Sequence, residues 1–341
     1  MFGLFIIFLS VLLAVFAYFI APDSSPNANR IILEIGRQKP GQLRSFLKVR
    51  KEKTLFSHSF ISRLISGTED QYVYVPIAGY QVKTDSIVIQ KFIDEDVSER
   101  QSYPMSKLDQ HAPVATKRFL LGTDTYGRDI LSRLIIGIRV SLGVGMITVF
   151  ISLTIGLLLG CLAGYFRGRT DNIIMWFMNI IWSIPTLLLV FAITLALGKG
   201  FWQVFIAVGL TMWVNVARLV RGQVLSIREL EYVEATRALG FSHARTIFHH
   251  ILPNILGPVM VLAASNFASA IVIEAGLSFL GVGVQPPQPS WGLMIKENYN
   301  FIITQNPMLA IAPGIAIILL TLAFNLLGNG LRDALNVRGR I

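Results

Sequence analysis
Two stretches of the chain hold residues of the types that bind phosphate or metal. Gly122-Thr-Asp-Thr-Tyr-Gly127-Arg128-Asp129 approaches the pattern G-x-x-x-x-G-K-[ST], whose backbone amides cradle phosphate while the lysine reaches it. Arg128 replaces that lysine, and Asp129 replaces the hydroxyl residue with an anion that repels phosphate. ATP hydrolysis by this chain on its own is excluded on that ground. His243, His249 and His250 cluster further on. A zinc-binding helix needs H-E-x-x-H, with both imidazoles on one face. His249 and His250 point apart on a helix, and no Cys or Glu sits at ligand spacing, so no metal site is expected. His58, His111 and the scattered acids between residues 21 and 118 are too few and too far apart to assign a catalytic residue. Cys161, the single cysteine, lies in an apolar run and has no partner for an internal disulfide.

The elements around these residues are those of a membrane protein. Of 341 residues, 53% are hydrophobic and 15% charged, and the mean hydropathy is +0.59. Soluble domains carry about 25% charged residues. Apolar runs long enough to span a bilayer are read at Phe2–Ile20, Ile138–Tyr165, Asn172–Leu197, Phe201–Ala217, Ile255–Phe279 and Met308–Gly328, six in all. The first reads as a membrane anchor rather than a signal peptide, because no basic residue precedes it. Residues 21–118 are polar, mixed in charge and broken by Pro and Gly, and they hold 15 Lys and Arg. Tyr72–Val75 and Ser86–Phe92 alternate as strands do. A soluble, partly β insertion on one side of the membrane is expected here.

Charge sets the orientation. With the first helix starting inside, segments 166–171, 218–254 and 329–341 are internal. They hold Arg167, Arg169, Arg218, Arg221, Arg228, Arg237, Arg245, Arg332, Arg338 and Arg340, against Lys199 and Lys296 in the short outer loops. That bias places both termini in the cytoplasm and the long insertion outside, since long domains cross largely regardless of charge. Much of the net charge of +10 is therefore topological, and nucleic-acid binding is not expected. Within the spans, Gly156, Gly160 and Gly164 recur at a spacing of four, which lets helix backbones approach closely. Pro185 interrupts the third span, where a kink serves as a hinge or as packing geometry. Glu274 is the one acid within the spans so drawn. It must face the bundle interior or an interface, and a proton-coupled carrier would need several such groups.

Residues 228–254 form the informative internal segment. Residues 229–239 are good helix formers, Gly240 stops that helix, Ser242 caps a second, and Pro253 ends it. Apolar Val233, Leu239, Phe241, Ile247 and Phe248 lie among charges at this turn. Docking into another protein explains that apolar surface better than a solvated loop does.

Glu234-Ala235-Thr236, Gly240 and Leu252-Pro253 resemble the EAA loop of permeases of binding-protein-dependent ABC importers. Within that family, five more stretches resemble the second permease subunit of the dipeptide/oligopeptide/nickel branch. They are Leu121 to Arg133 (LGTDTYGRDILSR), Ala217 to Gln223 (ARLVRGQ), Glu274 to Gly281 (EAGLSFLG), Pro289-Ser-Trp291-Gly292, and Asn325 to Leu335 (NLLGNGLRDAL). The ordered motifs cover residues 121–341.

The resemblance implies an all-α polytopic membrane protein of the type I ABC importer permease kind, with about six transmembrane helices and the soluble, partly β extracytoplasmic insertion added. Residues 1–20 would be the first helix, 21–118 the insertion, and 119–341 the transmembrane domain, with five helices and a coupling loop at 229–254. Glu234, Ala235, Thr236, Gly240, Phe241, Leu252 and Pro253 would couple to the ATPases. Gly122, Asp124, Gly127, Arg128, Asp129, Arg218, Arg221, Glu274 and Trp291 would belong to the family signature and gating. The implied partners are a homologous second permease, two ATP-binding subunits that hold ATP and Mg, and an extracytoplasmic solute-binding protein. No cofactor would bind this chain directly. The expected role is import of small solutes, peptides first and nickel complexes second, by alternating access across a bacterial inner membrane.

The chain departs from the family pattern at Thr236, His250, Met175-Trp176, Asn179, Asn329 and Asn336-Val337. Two other classes compete. An ion-coupled secondary transporter predicts more helices, internal repeats and coupling-ion residues at mid-membrane. A membrane-anchored receptor or enzyme would use residues 21–118 as its working domain.

Overall fold
A computed structural model describes residues 1–52, 59–94, 97–302 and 306–335. His58, Asn336, Val337, Arg338 and Arg340 lie outside the described residues. The helices are α1 (Phe2–Val15), α2 (Ala17–Ile20), α3 (Phe60–Ser66), α4 (Ile130–Phe166), α5 (Gly168–Ser183), α6 (Thr186–Leu197), α7 (Phe201–Ile227), α8 (Glu231–Ala238), α9 (His243–Phe279), α10 (Trp291–Asn298) and α11 (Met308–Leu335). The strands are β1 (Gln42–Arg50), β2 (Tyr72–Val82), β3 (Ser86–Asp94), β4 (Val97–Pro104) and β5 (Val114–Phe119). Two compact units result. One holds residues 1–11, 141–285 and those from Ala316 onward; the other holds 12–140 and 286–315.

The first unit is helical. Among the described residues, α4, α7, α9 and α11 are each long and apolar enough to cross a membrane, and α5 with α6 passes the same test as one span bent by 93°. The chain is thus a polytopic membrane protein. The first apolar run differs from the single span expected. It breaks at Phe16 (φ −94°, ψ 17°), leaving α1 with 14 residues. At 1.5 Å per residue α1 is about 21 Å long, short of the roughly 30 Å apolar core of a bilayer.

The glycine series sets the packing. An added Cβ on Gly156, Gly160 or Gly164 of α4 would lie 2.4, 2.7 or 2.8 Å from the Cβ of Val216, Val220 or Val224 of α7. Residues four apart on one helix thus meet residues four apart on the other, a ridge seated in a groove. This contact carries α7 past Ala217, where the apolar run stops, to Ile227. Arg218 and Arg221 therefore lie on a helix rather than in an internal loop. A core of Tyr165, Val216, Val220, Val224, Val233, Ile251, Ile255 and Val259 joins α4, α7, α8 and α9.

Pro253 does not end its helix, contrary to expectation. Thr246–Ile251 form a π turn, and the helix continues through Pro253 to Phe279. The wider turn absorbs the missing N–H and the ring of proline.

The second unit is built on a five-stranded antiparallel sheet in the order β4-β3-β2-β1-β5. Successive side chains leave opposite faces of a strand, and both faces are covered. Phe46 packs with Ile32, Ile35, Phe92 and Phe119, and its neighbour Leu47 packs with Ile77, Ile87, Ile89 and Leu108. The strands expected at Tyr72–Val75 and Ser86–Phe92 lie within β2 and β3.

Candidate coupling and gating sites
The α8 helix presents two different faces. Glu231 and Glu234 occupy its first turn and Arg237 its last, charges that suit the helix dipole. Val233 is fully buried in the helical core, and Thr236 is buried beside it, donating to the Val233 carbonyl at 2.7 Å and meeting the Thr246 hydroxyl at 3.3 Å. Glu234 and Ala235 face outward. Gly240 ends the turn with φ +75°, a left-handed conformation natural to glycine. Ser242 caps α9 by accepting from the Arg245 amide.

Of the apolar residues read as a docking surface, Leu239 and Phe248 are exposed, at 73% and 62%. Phe241 is half-buried under the Arg245 guanidinium, which stands 4.2 Å above its ring. Val233 and Ile247 instead pack into the chain's own core. Leu252 is half-buried and Pro253 exposed. Glu234, Ala235, Leu239, Gly240, Phe248 and Pro253 therefore face outward, whereas Thr236 is buried. Tyr165 ties α9 to α4 through its hydroxyl, 3.0 Å from His243 Nδ1. Among the described residues no three His, Cys, Asp or Glu side chains are grouped to hold a metal.

Arg221 forks onto Asp171 of α5, with Nε–Oδ1 at 2.5 Å and Nη2–Oδ2 at 2.7 Å. Arg218 stacks 3.7 Å above the Trp182 ring and donates to Asn179 Oδ1 at 3.4 Å. The two arginines of α7 thus clamp α5. Glu274 is fully buried in α9 and accepts from Ser278 Oγ at 2.6 Å. Ser278 Oγ in turn accepts from the Val284 amide at 3.0 Å, fixing the turn after α9.

In the sheet-bearing unit, the Gly122–Asp129 loop is held by its backbone and by charge. Gly122 and Gly127 have φ +81° and +72°, and an added Cβ would stand 2.2 and 1.8 Å from the Gln38 and Ile32 carbonyl oxygens. Asp124, fully buried, accepts from the Tyr126 and Arg128 amides at 2.9 Å each and from Arg128 Nε at 2.6 Å. Arg128 also reaches Glu297 of α10 at 2.8 Å, and Arg133 reaches the same carboxylate at 3.3 Å. Asp129 caps the start of α4 by accepting from the Ser132 amide and hydroxyl. Burial raises its carboxyl above the ordinary range, although the Ser132 bonds oppose that shift. Trp291 is buried against Gly137 and donates to the Leu134 carbonyl at 3.0 Å. The loop that mimics a phosphate-binding motif is thus filled by protein.

A cavity of about 180 Å³ in the same unit is lined by Asp23, Arg30, Tyr74, Lys117 and Asp129, among others. Burial, with the nearby Arg30 charge, pushes the Lys117 amine down to about 8. Asp171, Arg133, Glu297 and Asn266 were not singled out as site residues from sequence. Arg133 stood inside a recognised motif, but its partner lies 164 positions away, and no local pattern joins them.

The membrane helices and their glycine-packed core define the class: an integral membrane protein of several spans. Residues 156–340 match the family model described as binding-protein-dependent transport system inner membrane component. The chain belongs to this family, as a permease subunit of an ABC importer. It is 42% identical over 216 residues to the glutathione transport system permease protein GsiD of Pectobacterium atrosepticum, covering 63% of this chain and 71% of that one. It is 37% identical over 254 residues to the oligopeptide transport system permease protein OppC of Bacillus subtilis, covering 74% and 83%. It is 45% identical over 219 residues to the di/tripeptide transport system permease protein DppC of Pseudomonas aeruginosa, covering 64% and 72%. An inward-facing structure of the MetNI methionine ABC transporter superposes with a TM-score of 0.51 at 19% identity, covering 60% of this chain and 97% of that one, and supports the fold alone.

Proposed function
We propose that the chain forms one half of the channel of a peptide importer. Two ATP-binding subunits, holding ATP and Mg, would supply the energy, and a homologous second permease would complete the pore. An extracytoplasmic binding protein would deliver solute. The observation that carries the coupling role is the two-faced α8 helix. Val233 and Thr236 anchor it to α4, α7 and α9, while Glu234 and Ala235 stand outward. A push on the outer face would pass through a packed core into three membrane helices. Relatives named for oligopeptides, di/tripeptides and glutathione favour peptides as the solute. On the arginine bias of the sequence, α8 and both termini would be cytoplasmic and residues 21–118 extracytoplasmic.

Reconstitution tests this reading. Proteoliposomes holding the chain together with a second permease, ATPases and a binding protein that co-purify with it should take up labelled peptide only when ATP is supplied. Uptake that ignores ATP and follows an ion gradient would overturn it.

A further inference from the structure
The bend between α5 and α6 leaves Ile184 and Pro185 extended, with ψ 129° and 126°, inside an otherwise apolar helix pair. Residues 182–188 are all exposed. Lipid cannot satisfy non-helical backbone, which is tolerated at membrane depth only against protein or a water-filled cavity. A polar cavity of about 220 Å³ opens beside the break. Thr186 of α6, Thr211 and Asn215 of α7, and Asn266 and Ser269 of α9 line it, with no acid or base among the lining residues. Asn266 is 3% exposed, and its Nδ2 has no hydrogen-bond partner among the described residues. An unpaired buried amide is costly, and proteins keep one where water or a ligand completes it.

We propose that this cavity is a contact point for the solute in transit and that it grips peptide main chain. The proposal rests on the peptide-import reading above. Carboxamides and hydroxyls both donate and accept, which matches the N–H and C=O groups common to all peptides. No charged side chain is among the lining residues, and Arg218 stacks on the lining Trp182 ring. Pockets that enclose a whole drug-sized ligand measure roughly 300–1,000 Å³, so this smaller cavity holds a segment of the solute. Weak segmental binding suits a path that the solute must also leave.

The test uses the complete transporter in proteoliposomes taking up radiolabelled tri-alanine. Asn266→Leu is expected to lower uptake at subsaturating peptide by about three- to tenfold, the effect of one lost hydrogen bond. Asn266→Ser should retain most of the uptake. Thr321→Val on α11, outside the cavity lining, should leave it unchanged. Co-purification of the subunits checks assembly. If Asn266→Leu does not assemble, Ser269→Cys takes its place, since Ser269 is exposed. Tri-alanine at twice its Kd during turnover should then slow alkylation of the new thiol about threefold. Wild-type uptake with Asn266→Leu unchanged, or alkylation indifferent to peptide, overturns the site and leaves peptide import standing. A wild-type transporter that takes up no di-, tri- or tetrapeptide overturns both.

Discussion

Gly160 on α4 lies so close to Val220 on α7 that a Cβ on the glycine would stand 2.7 Å from the valine Cβ and equally near the Ala217 carbonyl oxygen. Neither neighbour is the flexible end of a side chain, so an added methyl must push the two helices apart. Gly160→Ala is therefore expected to destabilise the subunit by about 1–3 kcal/mol, the usual cost of overpacking. Gly222→Ala on α7 makes the control. Nothing lies within 4 Å of its added Cβ, and alanine gains up to about 1 kcal/mol over glycine in a helix. Thermal unfolding of the purified subunit should move in opposite directions for the two variants. Equal shifts would sink the packing argument.

The buried cluster of Asp124, Glu297, Arg128 and Arg133 pairs two carboxylates with two guanidiniums. Removing one charge leaves the others uncompensated in a dry site. Asp124→Asn is expected to cost about 3 kcal/mol or more, because a broken buried ion pair commonly costs about 3–5 kcal/mol. Glu297, whose side chain is 16% exposed against 0% for Asp124, should cost less as Gln, since its own carboxylate is partly solvated and its pairing is correspondingly weaker. Unfolding temperatures of the two variants give the comparison, and a milder Asp124→Asn would contradict the burial order.

Lys117 supplies a pH prediction. Its amine titrates near 8 in the folded chain, against an ordinary 10.5. Between those values the unfolded chain holds a proton that the folded chain has released. Stability therefore rises with pH across that window, and the full penalty for burying the ammonium remains below it. Acylation of Lys117, followed by mass spectrometry, should reach half its maximal rate near pH 8, with exposed Lys83 as the internal reference. A midpoint close to 10.5 would show that the amine is solvated.

What the sequence made legible was whatever depends on local pattern. The apolar runs after the first, the glycine series, the α8 stop at Gly240 and the strands β2 and β3 all follow from spacing and propensity. Three boundaries did not. The first apolar run breaks at Phe16. The end of α7 is set by Val220 and Val224 packing on Gly160 and Gly164 of another helix, which no window around Ala217 contains. Pro253 reads as a terminator locally, but the π turn before it accommodates the ring. The site divides in the same way. The Asp124–Arg128 contact is four residues long and lay within a recognised motif, whereas Glu297 and Asn266 enter their sites only through tertiary folding.

The two faces of α8 separate coupling from folding. Glu234 is exposed and makes none of the core contacts that hold Val233. Glu234→Lys should leave the subunit's unfolding temperature nearly unchanged, since surface substitutions usually stay within about 0.5 kcal/mol. It should weaken co-purification of the ATPases and abolish ATP-driven uptake. Val233→Ala should behave in the reverse order. It opens a void in the core shared by α4, α7 and α9, at a cost of about 1–3 kcal/mol, while leaving the outward surface of Glu234 and Ala235 in place. ATPases would still bind this variant, but their closure would act on a loosened helix, so ATP hydrolysis should continue with less peptide moved per ATP. The ratio of peptide transported to ATP hydrolysed, measured for both variants in proteoliposomes, decides the matter. If Glu234→Lys retains its ATPases and wild-type uptake, α8 is not the coupling element.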